Sequence, residues 1–395
     1  VMMANGLGAL QGAIERAGGE RGGGKSETAT RASYQAARRF LNGAHVYAIA
    51  LVDAAAEITR RESDEAGDKD ERRHGPLAGV PGDEILTALG VKGTQAIVAG
   101  ADLDTERGPL ELRAAVLHPR LGGLFTLLGA APKGFEPPAF VSSDAMSVGT
   151  LYVNFDKVLP FVRQALKDLP EDSRPFGEQE LAQVEGIAGP VLASLGGRVH
   201  ILTTISRPMK ADSEQTVWAL ELKDADPIKN ILTAFGASMG LKPRDFEGNQ
   251  IFSNPEAGEF GLNLAVGVGF GHAFIGGVTG VENAMRQASR PANSIASKPE
   301  FVDAAGVLRP GALAYSYQDM RESLEMMIWQ LQNPGAALEA MGIELDEGDE
   351  PEGLSFAKNI PSADRWLKYI GDAVTEVIAT DNGVEFVVIY RAPKK

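Results

Sequence analysis

Residues 311–319 read Gly-Ala-Leu-Ala-Tyr-Ser-Tyr-Gln-Asp, and the next residues read Met-Arg-Glu-Ser-Leu-Glu-Met-Met. Apolar and polar side chains alternate before the aspartate, which predicts a strand, and those after it have the spacing of an amphipathic helix. Related phrases occur at residues 43–53 and 149–156, each followed by a helical pattern. The sequence therefore predicts a unit of strand, aspartate and helix that occurs three times.

A second phrase also recurs, in which a helical pattern ends at a glycine and a strand follows. The glycines are Gly90, Gly196 and Gly371, and each is expected to close its helix in a left-handed conformation. We interpret the order of elements as a repeated strand-helix-helix-strand-strand-helix module. This order predicts an α+β fold with antiparallel-rich sheets and helices on one face. After each of these strands the chain turns back into another, at residues 111–118, 216–222 and 383–390.

The repeats predict three modules, at residues 1–140, 141–295 and 296–395. The second module has an extra hairpin within residues 261–281. That stretch has no charged residue and is long enough for a membrane span of about 20 residues. Its alternation and seven glycines favour a buried hairpin instead.

The first module is expected to be incomplete at its N-terminal side. The extra hairpin precedes the first helix of the third module, whereas no such strands precede the corresponding helical pattern at residues 7–17. A sheet without those strands would expose the hydrogen-bonding groups of its edge. We expect either that further strands precede Val1 or that another chain adds a strand.

The composition excludes several classes of function. The chain has 395 residues, with 38 Lys and Arg against 53 Asp and Glu, a net charge of −15. Such a charge argues against binding to nucleic acid or to an anionic membrane surface. There is no cysteine, so disulfides, thiolate nucleophiles and cysteine-ligated metals are excluded.

No metal site or cofactor is expected. None of the five histidines has a metal-ligand spacing, and His45, His200 and His272 are expected to be structural. The acidic runs at residues 62–71 and 344–352 lack the ordered spacing of a calcium-binding loop. We therefore interpret them as solvated loops.

The recurring aspartates are Asp53, Asp156 and Asp319, and each lies where a strand passes into a helix. A carboxylate at this position can cap the helix and contribute about 1 kcal/mol. Asp319 and Glu322 also have the spacing of a capping box. The alternative is a set of acid–base carboxylates. Since the feature recurs once per module, a role in folding is favoured over a single active site.

Two short motifs match enzymes. Residues 19–26 fit the phosphate-binding loop pattern, with Lys25, Ser26 and Asp53 as candidate nucleotide-binding residues. The segment before the loop is helical in pattern rather than a strand, which favours a flexible linker, but a nucleotide hydrolase remains the alternative. Ser238 fits the pattern of a serine nucleophile, although it follows a helical segment instead of a strand. No catalytic residue is expected.

Three segments have a recognisable sequence. They are Leu-Gly-Gly-Leu-Phe-Thr-Leu-Leu-Gly at 121–129, Ala-Ser-Lys-Pro-Glu-Phe-Val-Asp-Ala-Ala at 296–305, and Ile-Pro-Ser-Ala-Asp-Arg-Trp-Leu-Lys-Tyr-Ile-Gly at 360–371. These segments resemble a family of uncharacterised proteins common in planctomycete-type bacteria, and the resemblance covers roughly residues 90–395. It implies an exported protein of the cell envelope with a domain of unknown function, and it supplies no activity, catalytic residue or cofactor.

The leading hypothesis is a non-enzymatic binding or structural protein outside the cytoplasm, in the periplasm, the cell envelope or the medium. Its partner would be another protein or further copies of itself in a homo-oligomer, because modular proteins present broad surfaces rather than one deep site. An alternative is a carrier that holds an apolar ligand between sheet and helices. The sequence does not identify the ligand or partner.

Overall fold

The computed structural model describes residues 32–51, 84, 87–119, 122–171, 174–175, 177–210, 212–254, 264–335 and 361–393. Within these ranges the chain forms one large antiparallel sheet and eight α-helices. The fold class is therefore α+β, as predicted. In the described ranges, no helix is long and apolar enough to cross a membrane.

The sheet has thirteen described strands, and every neighbouring pair is antiparallel. In chain order they are β1 Val46–Leu51, β2 Ala96–Leu103, β3 Leu110–Leu117, β4 Ser147–Tyr152, β5 Leu195–Ile205, β6 Glu214–Leu222, β7 Lys242–Phe246, β8 Asn249–Ser253, β9 Leu264–Gly269, β10 His272–Gly277, β11 Ala314–Asp319, β12 Asp372–Thr380 and β13 Gly383–Tyr390. Their order across the sheet is β1-β2-β3-β13-β12-β11-β4-β5-β6-β10-β9-β8-β7.

The described helices are α1 Ala32–Phe40, α2 Val158–Asp168, α3 Glu178–Ser194, α4 Asp226–Phe235, α5 Val278–Ser289, α6 Pro299–Ala305, α7 Met320–Gln332 and α8 Asp364–Leu367. Short 3-10 helices are formed by Gly123–Leu127, Phe155–Lys157, Gly236–Met239 and Ile295–Ser297. The element boundaries follow local signals. For example, Pro299 begins α6, where its missing N–H costs no hydrogen bond.

Consecutive strands form meanders, but the order of the meanders across the sheet differs from their order along the chain. β3 pairs with β13, and β4 pairs with β11. Strands from residues 1–140, 141–295 and 296–395 are therefore neighbours in one sheet. The predicted hairpin in 261–281 is confirmed for β9 and β10, which pair around Phe270 and Gly271.

The two faces of the sheet differ in burial. Directly paired residues of antiparallel strands project to the same side, so the registers assign each strand residue to one face. We call the side that carries Phe274, Tyr317 and Val374 the core face, because these side chains are buried there. Helix α5 packs on it through Val281 and Met285, and α1 and α6 cover other parts of the same face.

Helices lie on both faces, which differs from the expectation of one covered face. Leu232 of α4 packs with Phe252 and Val268, and these two strand residues project away from the core face. The last helix of the predicted module also varies. It is α4 after β6, but only the 3-10 helix Gly123–Leu127 follows β3.

Of the three glycines that were expected to end a helix in a left-handed conformation, one does so. Gly90 is left-handed, with φ of 67°. Helix α3 already ends at Ser194, and Gly196 is part of β5. Gly371 has no positive φ and directly precedes β12. At these two sites the chain enters a strand at once, so no left-handed turn is needed.

Candidate functional site

The repeated aspartates are not equivalent where they are described. Asp319 directly precedes α7, and its carboxylate accepts a hydrogen bond from the Arg321 N–H at 3.1 Å, as a helix cap does. Asp156 lies inside a 3-10 helix, and Lys157 is the residue that precedes α2. The expected cap is therefore not formed at Asp156, because the 3-10 turn moves the start of the helix. Glu322 pairs with Arg207 at 2.7 Å, while the N–H of Asp319 donates to the Met146 carbonyl.

The candidate nucleotide residues Lys25, Ser26 and Asp53 lie outside the described residues. The acidic runs at 62–71 and 344–352 do so as well. The nucleotide-hydrolase alternative therefore stays a prediction. Among the described residues, no group of three or more His, Asp or Glu side chains could hold a metal ion.

A buried charged cluster surrounds Asp319 at the end of β11. Lys298 Nζ lies 3.0 Å from its carboxylate, and the Tyr317 hydroxyl donates to Asp372 on the adjacent strand at 3.0 Å. Burial alone would raise the pKa of Asp319, but hydrogen bonds from Arg321 and Lys298 lower it. Burial raises the pKa of Asp372. Two carboxylates whose pKa values differ can act as an acid and a base. Asp319 and Asp372 are only 4% and 8% exposed, however, so a substrate does not reach them.

Two histidines pack together on the core face. His200 is buried, and its Nδ1 lies 2.8 Å from the Thr150 hydroxyl, while its Nε2 has no hydrogen-bond partner. The ring of His272 lies 5.8 Å away and contacts the Phe270 carbonyl through Nδ1 at 3.0 Å. Burial, together with the positive charges of His272 and Arg198, lowers the pKa of His200 to about 3. The hydroxyl–imidazole pair has the composition of a nucleophile and its base, but both residues are closed to a substrate.

A shallow cleft of about 290 Å³ lies beside the start of β5, two residues before His200. Arg198 lines it and forms two hydrogen bonds with Glu221, at 2.5 and 3.0 Å. Tyr152 also lines the cleft, and burial raises its pKa. Because the Arg198 guanidinium is paired with Glu221, its positive charge is not free to bind an anion in the cleft.

An extended ion-pair network surrounds Glu376, which is fully buried on the core face. Its carboxylate accepts hydrogen bonds from Arg107 at 2.7 Å and from Arg309 at 2.6 Å. Arg107 also pairs with Glu111, and Arg309 with Glu385. The network ties two loops to the sheet. Sequence reasoning missed it, although a glutamate at a position of β12 that alternation places in the core was a usable signal.

Ser238 is not part of a nucleophile elbow. It lies in the 3-10 helix that continues α4, and its hydroxyl donates to the Phe235 carbonyl at 2.6 Å. A nucleophile elbow would require a strand before the serine. The interpretation of this motif as a helix end is confirmed.

The strongest candidate for a functional surface is the sheet face opposite the core face. We call it the open face, and it is defined by the side chains that share the side of Phe386 and Trp218. Phe386 and Trp218 are 45% and 46% exposed. Other large apolar residues exposed on the same face are Val46, Ile97, Leu103 and Leu264.

Charged residues are nearly absent from the open face. No described strand residue that the registers assign to it is Lys or Arg, and Glu214 and Asp245 are its acidic residues. Glu376, Asp319 and His200 all project to the core face. The core face thus buries several charged side chains among its apolar ones, while the open face has few charges and several half-exposed apolar side chains.

The open face is covered at one end. Leu232 and Leu241 pack over Phe252 and Val268 near β8 and β9. Toward β13 and β2, Phe386 and Ile97 are about half exposed in the part of the chain that the structure describes. Trp218 lies five strands away from Phe386 in the sheet order. Single exposed apolar residues are ordinary, but several that share one sheet face make that face a candidate interaction surface.

Comparisons with protein-family models, with curated proteins and with solved structures found no match to this chain.

Proposed function

We propose that the protein is a non-enzymatic binding or assembly protein that uses the open face of its sheet to bind an apolar partner surface. The observation that carries this proposal is the exposure of Phe386 and Trp218 on a sheet face whose described strand residues include no Lys or Arg. Burial of such side chains contributes about 25 cal/mol per Å² of apolar area. The buried polar clusters, by contrast, hold the fold together and are closed to substrates.

The proposal includes three related modules and a location outside the cytoplasm. The meanders β1–β3, β4–β6 and β11–β13 have the same pairing order, which supports a common module. A broad sheet assembled from such units suits a surface contact better than a deep site. The location follows from the resemblance to exported envelope proteins, and the absence of cysteine is compatible with it.

A second candidate function is the carriage of an apolar ligand, such as an acyl chain. The observation that favours it is the same open face, which α4 covers at one end and leaves half exposed toward Phe386. The two candidates differ in what the purified protein contains. A carrier should release a lipid on extraction with organic solvent, whereas an assembly protein should release none and should bind a macromolecule.

The proposal is tested with Nile red, a neutral dye that fluoresces when it binds apolar surfaces. We expect the chain to bind the dye and the double variant Phe386→Lys, Trp218→Lys to bind at least five-fold more weakly, because each change places a charge on the open face. The matched control is Phe235→Lys, Trp366→Lys. These residues are 51% and 48% exposed but lie on α4 and α8.

The control pair should change dye binding less than two-fold. Equal losses in both double variants would contradict the proposal, since the dye would then report exposed aromatic residues in general. Circular dichroism of all variants checks that the fold is retained.

A further inference from the structure

The two edges of the sheet are protected to different degrees. The outer strand β7 reads Lys-Pro-Arg-Asp-Phe, and charges and proline on an edge prevent further strands from pairing. The other outer strand, β1, reads Val-Tyr-Ala-Ile-Ala-Leu and has neither. No described strand pairs with its outer side. Alternate N–H and C=O groups of β1 point away from β2, and among the described residues no strand accepts or donates hydrogen bonds there.

An arginine lies beside the β1 edge, although the whole chain is acidic. Residues 32–51 contain Arg38 and Arg39 but no Asp or Glu, although the chain has 53 acidic residues. The Arg38 guanidinium lies 4.7 Å from the ring centre of Tyr47, an edge residue that is 45% exposed. The nearby Asp102 is paired with Arg113 at 2.6 Å, so the charge of Arg38 is not neutralised by this carboxylate.

We propose that β1 binds an extended segment of a partner protein in which acidic and apolar residues alternate. The segment would add a strand to the sheet through main-chain hydrogen bonds. Its acidic side chains would project to the side of Tyr47 and contact Arg38. Its apolar side chains would project to the other side, beside Val46, and extend the open face.

The chain's own edges fit this site less well. A second β1 would bring another Arg38 toward the first, and like charges in contact are unfavourable. The β7 edge of a second copy carries Pro243, which has no N–H and so removes a hydrogen-bond donor. The inference does not depend on the proposed function, because Arg38 and Tyr47 are not on the open face.

The test uses a fluorescently labelled, end-capped peptide of alternating glutamate and valine, with anisotropy as the readout. We expect saturable binding to the full chain that weakens at least ten-fold in Arg38→Glu. The charge-matched control is Arg290→Glu. The Arg290 side chain is 83% exposed and directly follows α5, which packs on strands near the other edge of the sheet. This variant should change the affinity less than two-fold. A peptide of alternating lysine and valine should prefer the Arg38→Glu variant.

A fully N-methylated glutamate–valine peptide separates strand addition from simple charge attraction, because it cannot donate main-chain hydrogen bonds. Its failure to bind supports the proposal. Equal binding of the methylated and unmethylated peptides, or absence of binding by the unmethylated peptide, overturns it. Self-association of the chain that blocks the peptide would also overturn it, because the occupant would then be a second copy.

Discussion

Glu376→Gln is expected to lower the free energy of unfolding by about 3 kcal/mol, the range found when one partner of a buried ion pair is removed. The side chain of Glu376 has no exposed area, and it accepts charged hydrogen bonds from both Arg107 and Arg309. Loss of its charge leaves two guanidinium groups near the core without their common partner. Urea unfolding at neutral pH measures the change.

The control for this prediction is Glu185→Gln. Glu185 also forms a two-point pair with one arginine, Arg163, but the arginine side chain is 56% exposed. Exposed pairs contribute about 0 to 1 kcal/mol, so this variant should lose less than about 1 kcal/mol. If the two variants lose the same stability, the network around Glu376 does not hold the sheet as described.

Acidification from pH 7 to pH 5 is expected to cost the protein about 2 kcal/mol through His200 alone, at 1.36 kcal/mol per pKa unit. The unfolded pKa is near 6.5, whereas burial lowers the folded pKa to about 3. Between these values the unfolded chain binds the extra proton. The stabilising contribution is therefore fully present above the unfolded pKa and is lost as the pH falls toward the folded pKa.

The measurement compares the pH dependence of unfolding in the wild type and in His200→Asn. The groups that face His200 are His272, Arg198, Glu221 and Thr150, and all remain in the variant. We expect the variant to lose less stability between pH 7 and pH 5 than the wild type does. An identical loss in both proteins would mean that His200 is not buried in its neutral form.

Local patterns predicted individual strands well, because the alternation of apolar and polar residues along a segment indicates which of its side chains are buried. Residues 383–390 were predicted as a strand and are β13 with the same bounds. The edge strand β7 was missed, because an exposed edge does not require alternation and its Lys-Pro-Arg-Asp sequence resembles a loop. The order of the strands in the sheet could not be predicted, because β3 pairs with β13, which is distant along the chain.

In the candidate site, too, a local pattern predicts some features, while others depend on residues that are distant along the chain. The aspartate cap at α7 follows from a local signal, but the partner of Asp319 in the buried cluster, Lys298, lies on another element. Arg107 and Glu376 are separated by 269 residues. The open face becomes visible only when the registers of all strands are combined, because each strand alone shows an ordinary alternation of buried and half-buried residues.

The central claim is that the open face is accessible in the free protein and becomes covered when the protein binds. Trp218 reports this directly once it is the only tryptophan, in the variant Trp329→Phe, Trp366→Phe. We predict that acrylamide quenches the free protein efficiently, and that an added acyl-chain probe or partner shifts the emission to the blue and protects Trp218. Protection that increases with protein concentration would identify a second copy as the partner. A Trp218 already shielded from acrylamide in the free, dilute protein would contradict the account.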